Sequence, residues 1–223
     1  MKKHIISTLI IGSLMSASAF AELNKEQTQQ LEEINQFLKD NPATISGLHT
    51  SLQRYVAGQE QAKKAQETSH DWLYNNDAHP VSGNPKGKSI IINFTDYNCP
   101  YCKRAAPVVK NVIAGDSDVR VVYREWPILG EGSDFAARAA LASRNQGKYE
   151  EFHWALMALN GRATEASVMK VVRELGLDED QLRADMEAPE VDAHIQESME
   201  LAQQLGFSGT PSFVIGDALA PGL

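Results

Sequence analysis

The stretch Ser89-Ile-Ile-Ile-Asn-Phe-Thr-Asp-Tyr-Asn-Cys-Pro-Tyr-Cys102 decides the fold of this 223-residue chain. Its first six residues form a short apolar run rich in β-branched side chains, which is typical of a strand buried on both faces. A helix is predicted over 100–114 and a second strand over 119–123. Strand, helix and strand within about 35 residues make a βαβ unit, so the two strands are expected to be parallel with a right-handed connection.

Cys99 and Cys102 are the two cysteines of the chain, and they lie where this strand gives way to the helix. The first turn of a helix has unpaired N–H groups and partial positive charge, which would stabilise a thiolate at Cys99 and lower its pKa. Pro100 is tolerated at the first helical position because its missing N–H would have had no partner there. The placement predicts that Cys99 attacks a substrate sulfur and that Cys102, almost one turn on, resolves the mixed disulfide.

Other roles for a cysteine pair at this spacing fit the sequence less well. Two cysteines cannot supply a disulfide framework or a four-ligand zinc site, so no metal centre is predicted. Haem attachment requires a histidine after the second cysteine, and Lys103 stands there instead. A passive structural disulfide stays open as an alternative, and so does a chaperone or copper-handling module in which the two thiolates bind Cu(I).

The first 21 residues have the features of a secretory signal peptide. Lys2 and Lys3 precede a short apolar run, and Ala19-Phe20-Ala21 offers small residues at the positions that a signal peptidase reads. The apolar run is shorter than the roughly 20 residues that span a bilayer. We therefore expect cleavage after Ala21 and export to the periplasm, where disulfides form and persist.

The rest of the chain divides into a helical segment over 22–79 and a larger domain over 80–223. Leu31, Ile34 and Leu38 form an apolar stripe at helical spacing in the first segment, which is too thin to hold a core of its own. Over 133–205 every pattern is helical, and 212–215 is predicted to be a strand. A sheet of this size usually has a further strand and a covering helix, so the sequence looks truncated at its C-terminus.

Three features together resemble the DsbA family of thioredoxin-fold oxidoreductases. They are the motif Phe94-Thr-Asp-Tyr-Asn-Cys-Pro-Tyr-Cys102, the helical insertion at about 131–205, and Gly209-Thr-Pro-Ser-Phe213. The extra N-terminal helical segment is similar to that of the Com1/ScsC-like exported proteins. The resemblance implies an α/β thioredoxin fold with a helical insertion, preceded by that segment.

The same resemblance assigns roles to particular residues. Cys99 and Cys102 would form the redox-active disulfide, with Pro100 and Tyr101 between them. Pro211 would be cis and face that disulfide, and Thr210 would offer its backbone to a bound peptide.

The sequence leaves the direction of the reaction open. The chain could act as an isomerase or reductase, or it could act as an oxidase. Tyr101 carries no positive charge to stabilise a thiolate, and C-P-Y-C with Thr210 before the proline is similar to the isomerases DsbG and DsbC. Isomerase or reductase is therefore the favoured interpretation, with a DsbA-like oxidase as the alternative. The family often holds a buried acid six residues before the first cysteine, where this chain has Asn93. Asp96, three residues before Cys99, could take the place of that acid, but it is interpreted as a loop-capping residue. His153 is interpreted as a satisfied core or surface residue and not as a catalyst.

Charge and family likeness restrict the partners. The formal charge of −8 would repel phosphate backbones, so no nucleic acid is expected to bind. The resemblance implies cysteine-containing exported client proteins and a membrane redox partner of DsbB or DsbD type, with no cofactor. The helices of residues 24–79 could form a homo-oligomer, either a dimer or a trimer.

Overall fold

The computed structural model describes residues 23–75 and 79–222. The predicted signal peptide and its cleavage site lie outside the described residues. The chain divides into two compact units, one up to Gln53 and the other from Arg54 onward. The division at 79/80 that the sequence suggests stays a prediction.

The first unit consists of helices. Helix α1 spans Lys25–Asp40 and begins with a capping box, in which Asn24 and Gln27 exchange side-chain to backbone hydrogen bonds. A 3₁₀ turn at Pro42–Thr44 leads into α2, Ile45–Thr68, which continues into the second unit. No residue of α1 is buried, and the side chains of Leu31 and Ile34 in the predicted stripe are about half exposed.

The second unit is built on a five-stranded sheet with the strand order β1-β3-β2-β4-β5. The central strands β2 and β3 are parallel, as the βαβ pattern predicts, and the other pairs are antiparallel. The strand bounds are Val81–Gly83 (β1), Ser89–Thr95 (β2), Val119–Glu125 (β3), Ser212–Ile215 (β4) and Ala218–Ala220 (β5).

Helices cover both faces of this sheet. One face packs against α4 and the helical insertion, in a core that includes Val109, Val121, Phe152 and Leu156. The opposite face packs against α3 and α9 around Phe94. The helices are α3 (His70–Asn75), α4 (Pro100–Gly115), α5 (Glu131–Ala142), α6 (Tyr149–Met157), α7 (Glu165–Glu174), α8 (Glu179–Met186) and α9 (Pro189–Gln204).

The second half of α2 belongs to this unit. Ala62 and Ala65 are buried, and the Gln66 side chain donates a 2.8 Å hydrogen bond to the carbonyl oxygen of Gly216. The hydroxyl of Tyr74 donates to the same carbonyl at 3.0 Å. The polar end of the predicted N-terminal segment is thus tied to the sheet edge at the β4–β5 turn.

Two strands were not predicted from the sequence. β1 lies inside the turn-rich stretch before β2, and β5 follows a turn at Gly216, whose φ of 55° favours glycine. Each has only three residues, which is too short to show alternation, and each is held by its pairing with a longer strand. In the described part of the chain, no helix combines the length and the apolar character needed to cross a membrane.

Candidate functional site

The cysteine pair lies at the junction of β2 and α4. Cys99 is the N-cap of α4, and Pro100 occupies the first helical position, as the sequence predicts. The backbone N–H of Cys102 points to the Sγ atom of Cys99 at 3.5 Å. Both residues are free thiols and almost fully buried. The helix start therefore directs an unpaired N–H group at the sulfur of Cys99.

The loop before β4 lies against this pair. The Thr210–Pro211 peptide bond is cis, as the family resemblance implies. The Cys99 thiol donates to the carbonyl oxygen of Thr210 across 3.1 Å, although the two residues are 111 positions apart in the chain. The hydroxyl of Ser212 accepts from Gly222 N–H and donates to the carbonyl of Gly209, which fixes the loop at the start of β4. The structure thus brings together Cys99, Cys102, Thr210 and Pro211.

The second thiol is strongly shielded from solvent. Burial raises the pKa of Cys102 from 9.0 to about 12, against smaller lowering contributions from a backbone group of Asp96 and from the hydroxyls of Thr210 and Thr95. Cys102 is therefore a protonated thiol at neutral pH. It must lose that proton before it can attack a disulfide, because the thiolate is the nucleophile.

Tyr101 and Lys103, the residues on either side of Cys102, contact different parts of the protein. The Tyr101 ring is about half exposed, and the Arg104 guanidinium lies 4.2 Å from its centre. The Lys103 ammonium donates to the carbonyl oxygens of Leu159 and Gly161, at 2.9 and 2.6 Å. Lys103 thus joins the start of α4 to the loop after α6.

Asp96 organises the loop that carries the cysteines, in agreement with its interpretation from the sequence. Its carboxylate accepts hydrogen bonds from the backbone N–H groups of Asn98, Ile128 and Leu129 and from the hydroxyl of Ser133. These four donors satisfy a side chain that is 1% exposed. The loop before Cys99 and the loop after β3 are therefore fixed to one another.

Asn98 makes a second link from this loop to the helical insertion. Its side chain accepts from Ala163 N–H at 2.6 Å and donates to the carbonyl of Ala163 at 3.1 Å. Gly132 faces the same carbonyl so closely that a Cβ atom there would collide with it. The φ of Gly132 is not positive, so its backbone conformation does not require glycine. Glycine is required because there is no space for a side chain next to the Ala163 carbonyl.

A buried polar cluster lies on the α4 side of the sheet, and sequence reasoning missed most of it. The Oε1 atom of Glu125 accepts from the hydroxyls of Tyr97 at 2.8 Å and Tyr149 at 2.7 Å. Burial raises the pKa of Glu125 from 4.5 to about 8. His153 joins the cluster through its Nδ1, 3.0 Å from the Tyr97 hydroxyl, and burial lowers its pKa to about 3. Of the two structural interpretations of His153, core or surface residue, the structure shows the buried one.

The sequence-family model of the DSBA-like thioredoxin domain matches residues 90–223, well over half of the chain. The chain belongs to this family. The matched range contains both cysteines, the helical insertion and the cis-proline loop.

Solved structures agree with this assignment of the DSBA-like domain. A thioredoxin-like oxidoreductase from Silicibacter pomeroyi is 63% identical, covering 68% of this chain and 88% of that one, with a TM-score of 0.67. A Proteus mirabilis ScsC variant is 29% identical over 92% of each chain, with a TM-score of 0.64. The thiol-disulfide exchange protein α-DsbA2 of Wolbachia pipientis is 32% identical, covering 74% of this chain and 90% of that one, with a TM-score of 0.67. The ScsC likeness supports the Com1/ScsC-like branch.

Curated relatives include a Na⁺/H⁺ antiporter NhaA 3 of Salinispora tropica, 28% identical over 141 residues. The matched residues make up 62% of this chain and 22% of the length of that relative. The chain therefore spans less than a quarter of the curated relative that it matches.

The sequence does not point to Glu125, because the family resemblance implies an acid at position 93. That position lies on the strand that precedes the cysteines and is Asn93 in this chain. Glu125 lies on the neighbouring strand, beside Thr95 in the parallel register. The signal that could have revealed it is the charged pair Arg124-Glu125 at the end of an apolar strand, because charged residues are rarely buried without a partner.

Proposed function

We propose that this chain is a periplasmic protein thiol-disulfide oxidoreductase that acts mainly as a disulfide isomerase or reductase. The observation that carries the proposal is the Cys99 thiol at the start of α4, 3.1 Å from the Thr210 carbonyl beside the cis peptide bond. A cysteine client that lies along the Thr210 backbone would bring its sulfur to Cys99. The printed description of the Wolbachia relative as a thiol-disulfide exchange protein supports the same chemistry.

The two thiols have different roles in the proposed reaction. The Cys99 thiolate attacks a client disulfide, which forms a Cys99–client bond and releases the other client sulfur as a thiolate. Cys102, once deprotonated, attacks Cys99, closes the Cys99–Cys102 disulfide and releases the second client sulfur. The client gains two electrons and the cysteine pair loses two. If instead the first released client thiolate attacks a second client disulfide, and the thiolate freed there attacks the Cys99–client bond, the client regains a rearranged disulfide and Cys99 leaves as a thiolate, so the net result is isomerisation.

The raised pKa of Cys102 supports the isomerase interpretation. A thiol that keeps its proton at neutral pH resolves slowly, so the mixed disulfide persists long enough for the client to rearrange. The uncharged Tyr101 between the cysteines favours the same assignment.

A DsbA-like oxidase is the second candidate. The backbone N–H of Cys102 at the start of α4 points to the Cys99 sulfur at 3.5 Å, and a group that favours the thiolate stabilises the reduced pair and makes the disulfide more oxidising. The reduction potential separates the two candidates. A value near about −120 mV favours the oxidase, and one near −180 mV or lower favours shuffling or reduction.

Client refolding tests the proposal. We expect the purified protein to accelerate the recovery of scrambled ribonuclease and the reduction of insulin, and we expect Cys99→Ser to abolish both activities. The exposed variant Ser51→Ala, on α2 in the first unit, is the matched control and should keep both. If neither Cys99→Ser nor Cys102→Ser loses activity relative to the parent, the proposed function is wrong.

Export, redox partners and assembly complete the proposal. We propose cleavage after Ala21, resetting of the pair by a DsbB- or DsbD-type membrane partner, and a dimer or trimer formed through residues 24–79. The exposed apolar side chains of Leu31, Ile34 and Phe37 on α1 support the assembly. Sedimentation of the mature chain tests it, since Leu31→Lys with Ile34→Lys should convert an oligomer into a monomer.

A further inference from the structure

Helix α4 has the opposite charge to the rest of the chain. Its 16 residues include three basic side chains and no acidic one, whereas the whole chain has 29 acidic and 21 basic side chains. The three basic residues are Lys103, Arg104 and Lys110. Because this helix begins at the cysteine pair, its positive charge lies beside the reacting sulfur.

Of these three cations, Arg104 is the one that can meet a client. Lys103 already donates to two backbone carbonyl oxygens of the loop after α6, at 2.9 and 2.6 Å. Lys110 lies eleven residues past Cys99, about 16 Å away along the helix axis. The Arg104 guanidinium lies over the exposed ring of Tyr101, 4.2 Å from its centre, and no other described residue forms an ion pair or a hydrogen bond with this side chain.

The contact with Tyr101 prepares Arg104 to bind a carboxylate. A guanidinium over an aromatic ring typically meets the ring with its planar face, so the N–H groups at its edge stay available to other partners. Two of those N–H groups can hold both oxygens of one carboxylate. The aromatic contact also restricts the arginine side chain before a client arrives, which lowers the entropy cost of binding.

Arg104 lies within reach of a client that is attached to Cys99. Among residues 99–104, the exposed side chains are Pro100, Tyr101 and Arg104. Arg104 is five residues past Cys99, about 7.5 Å along the helix axis. An extended client chain advances about 3.3 Å per residue, so it reaches Arg104 at the second or third residue from its own cysteine.

The loops around the cysteine pair add to the positive charge. Arg162 is exposed, and its loop is fixed beside the pair because Lys103 and Asn98 hold the residues on either side of it. Asp96, the acid of the loop before Cys99, is buried and its carboxylate is occupied by four donors. The exposed surface of these segments therefore presents cations, although the chain as a whole is acidic.

We propose that Arg104 is a specificity-determining residue that selects clients with an acidic side chain two or three residues from the reacting cysteine. The inference rests on the proposed function and deepens it by naming a class of client. The Cys99 thiolate attacks the client sulfur, a Cys99–client bond forms, and the second client sulfur leaves with the electron pair. The client carboxylate pairs with the guanidinium while this bond forms, so the pair raises the rate of the attack.

The test is the rate at which the reduced protein attacks activated peptides. Each peptide has capped ends and one cysteine in a disulfide with 5-thio-2-nitrobenzoate, and Glu, Gln or Lys stands two residues before and two residues after that cysteine. Attack on the peptide sulfur releases the coloured thionitrobenzoate, which stopped-flow absorbance measures. At low salt, the parent should react about threefold faster with the Glu peptide than with the Gln peptide, as an exposed ion pair allows, and most slowly with the Lys peptide. In 1 M NaCl, where charges are screened beyond about 3 Å, these differences should largely disappear.

Variants at position 104 assign the preference to this side chain. Arg104→Glu should reverse the order, so that the Lys peptide reacts fastest. Arg104→Gln should remove most of the preference, and it decides the question if Arg104→Glu does not fold. Lys86→Glu is the matched control, because it makes the same change of charge in the exposed turn before β2, at the end of that strand opposite to Cys99. This control should keep the order of the parent.

The alternatives give different results. The net charge of −8 alone would favour the Lys peptide, so a parent that reacts fastest with that peptide, or equally with all three, would refute the selection. Arg104 would have only a structural role if Arg104→Glu slowed all three peptides by the same factor, and the inference would then be wrong. It would also be wrong if Lys86→Glu changed the order as much as Arg104→Glu. A parent that releases no thionitrobenzoate from any peptide would refute the proposed function itself.

Discussion

The Cys99 thiol and the Thr210 carbonyl oxygen are 3.1 Å apart. This contact joins the N-terminus of a helix to a loop that precedes a strand more than a hundred residues later. It places a buried thiol next to the backbone of the cis-proline loop, and both parts come from segments that the sequence singles out. The two cysteines nevertheless differ in their surroundings, because Cys102 is held in a protonated state by burial.

The shielding of Cys102 predicts that it is inert in the folded protein. In the Cys99→Ser variant, iodoacetamide should alkylate Cys102 at least about 1000-fold more slowly than in the same variant unfolded in urea, because a pKa of about 12 rather than 9.0 leaves about a thousandth of the thiolate. Mass spectrometry at pH 8 measures both rates. Similar rates in the two conditions would show that burial does not control this thiol.

The four hydrogen bonds of Asp96 predict a large loss of stability when the carboxylate is removed. Asp96→Ala leaves buried and half-buried N–H groups without an acceptor and should lower the free energy of unfolding by about 3 kcal/mol. Asp116→Ala is the matched control, since Asp116 accepts from Asp118 N–H in an exposed turn and should cost under about 1 kcal/mol. Urea denaturation measures both values, and equal losses would contradict the role given to Asp96.

The close contact between Gly132 and the Ala163 carbonyl predicts that no side chain fits at position 132, where the cysteine loop meets the helical insertion. Gly132→Ala places a methyl group against the Ala163 carbonyl and should destabilise the fold by about 2 kcal/mol, as overpacking does. Gly115→Ala at the end of α4 meets no atom and should be neutral or stabilising. Thermal unfolding compares the two alanines, and the same melting temperature for both would refute the steric limit.

The raised pKa of Glu125 predicts a specific dependence of stability on pH. The unfolded chain releases this proton near pH 4.5 and the folded protein near pH 8, so the parent loses stability across that interval as the pH rises. Glu125→Gln has no such proton. Its free energy of unfolding should therefore rise relative to the parent by about 1.4 kcal/mol per pH unit from pH 5 to 8 and then level off.

The comparison of Glu125→Gln with the parent cancels the pH dependence that other titrating groups contribute to stability. His153, with its pKa lowered to about 3, makes stability fall as the pH drops below 6.5, but it does so equally in both proteins and cancels in the difference. Glu150→Gln, the same change at an exposed position of α6, should remain parallel to the parent throughout. A constant offset between Glu125→Gln and the parent would mean that Glu125 is ionised in the folded state.

The fold was predictable because its signals are local. The apolar run before Cys99, the helix start at Pro100 and the helical patterns of the insertion each appear within a few residues, and the structure contains all of them. The strands β1 and β5 were not predictable, since three residues carry no periodicity and their pairing partners define them.

The site was predictable in part, for the same reason. Cys99, Cys102 and Pro211 belong to recognisable motifs. Glu125 does not, because its place in the buried polar cluster depends on the register of β2 against β3 and on the fold of α6 over the sheet, which no short pattern encodes.

Trapping of the mixed disulfide tests the central claim most directly. A peptide that contains one disulfide is mixed with the reduced parent, Cys102→Ser and Cys99→Ser, and the products are identified by intact mass and peptide mapping. The account predicts that the parent ends as the Cys99–Cys102 disulfide with a reduced peptide, that Cys102→Ser accumulates one peptide adduct on Cys99, and that Cys99→Ser forms none. An adduct on Cys102 of the Cys99→Ser variant, formed as fast as the adduct on Cys99, would contradict it.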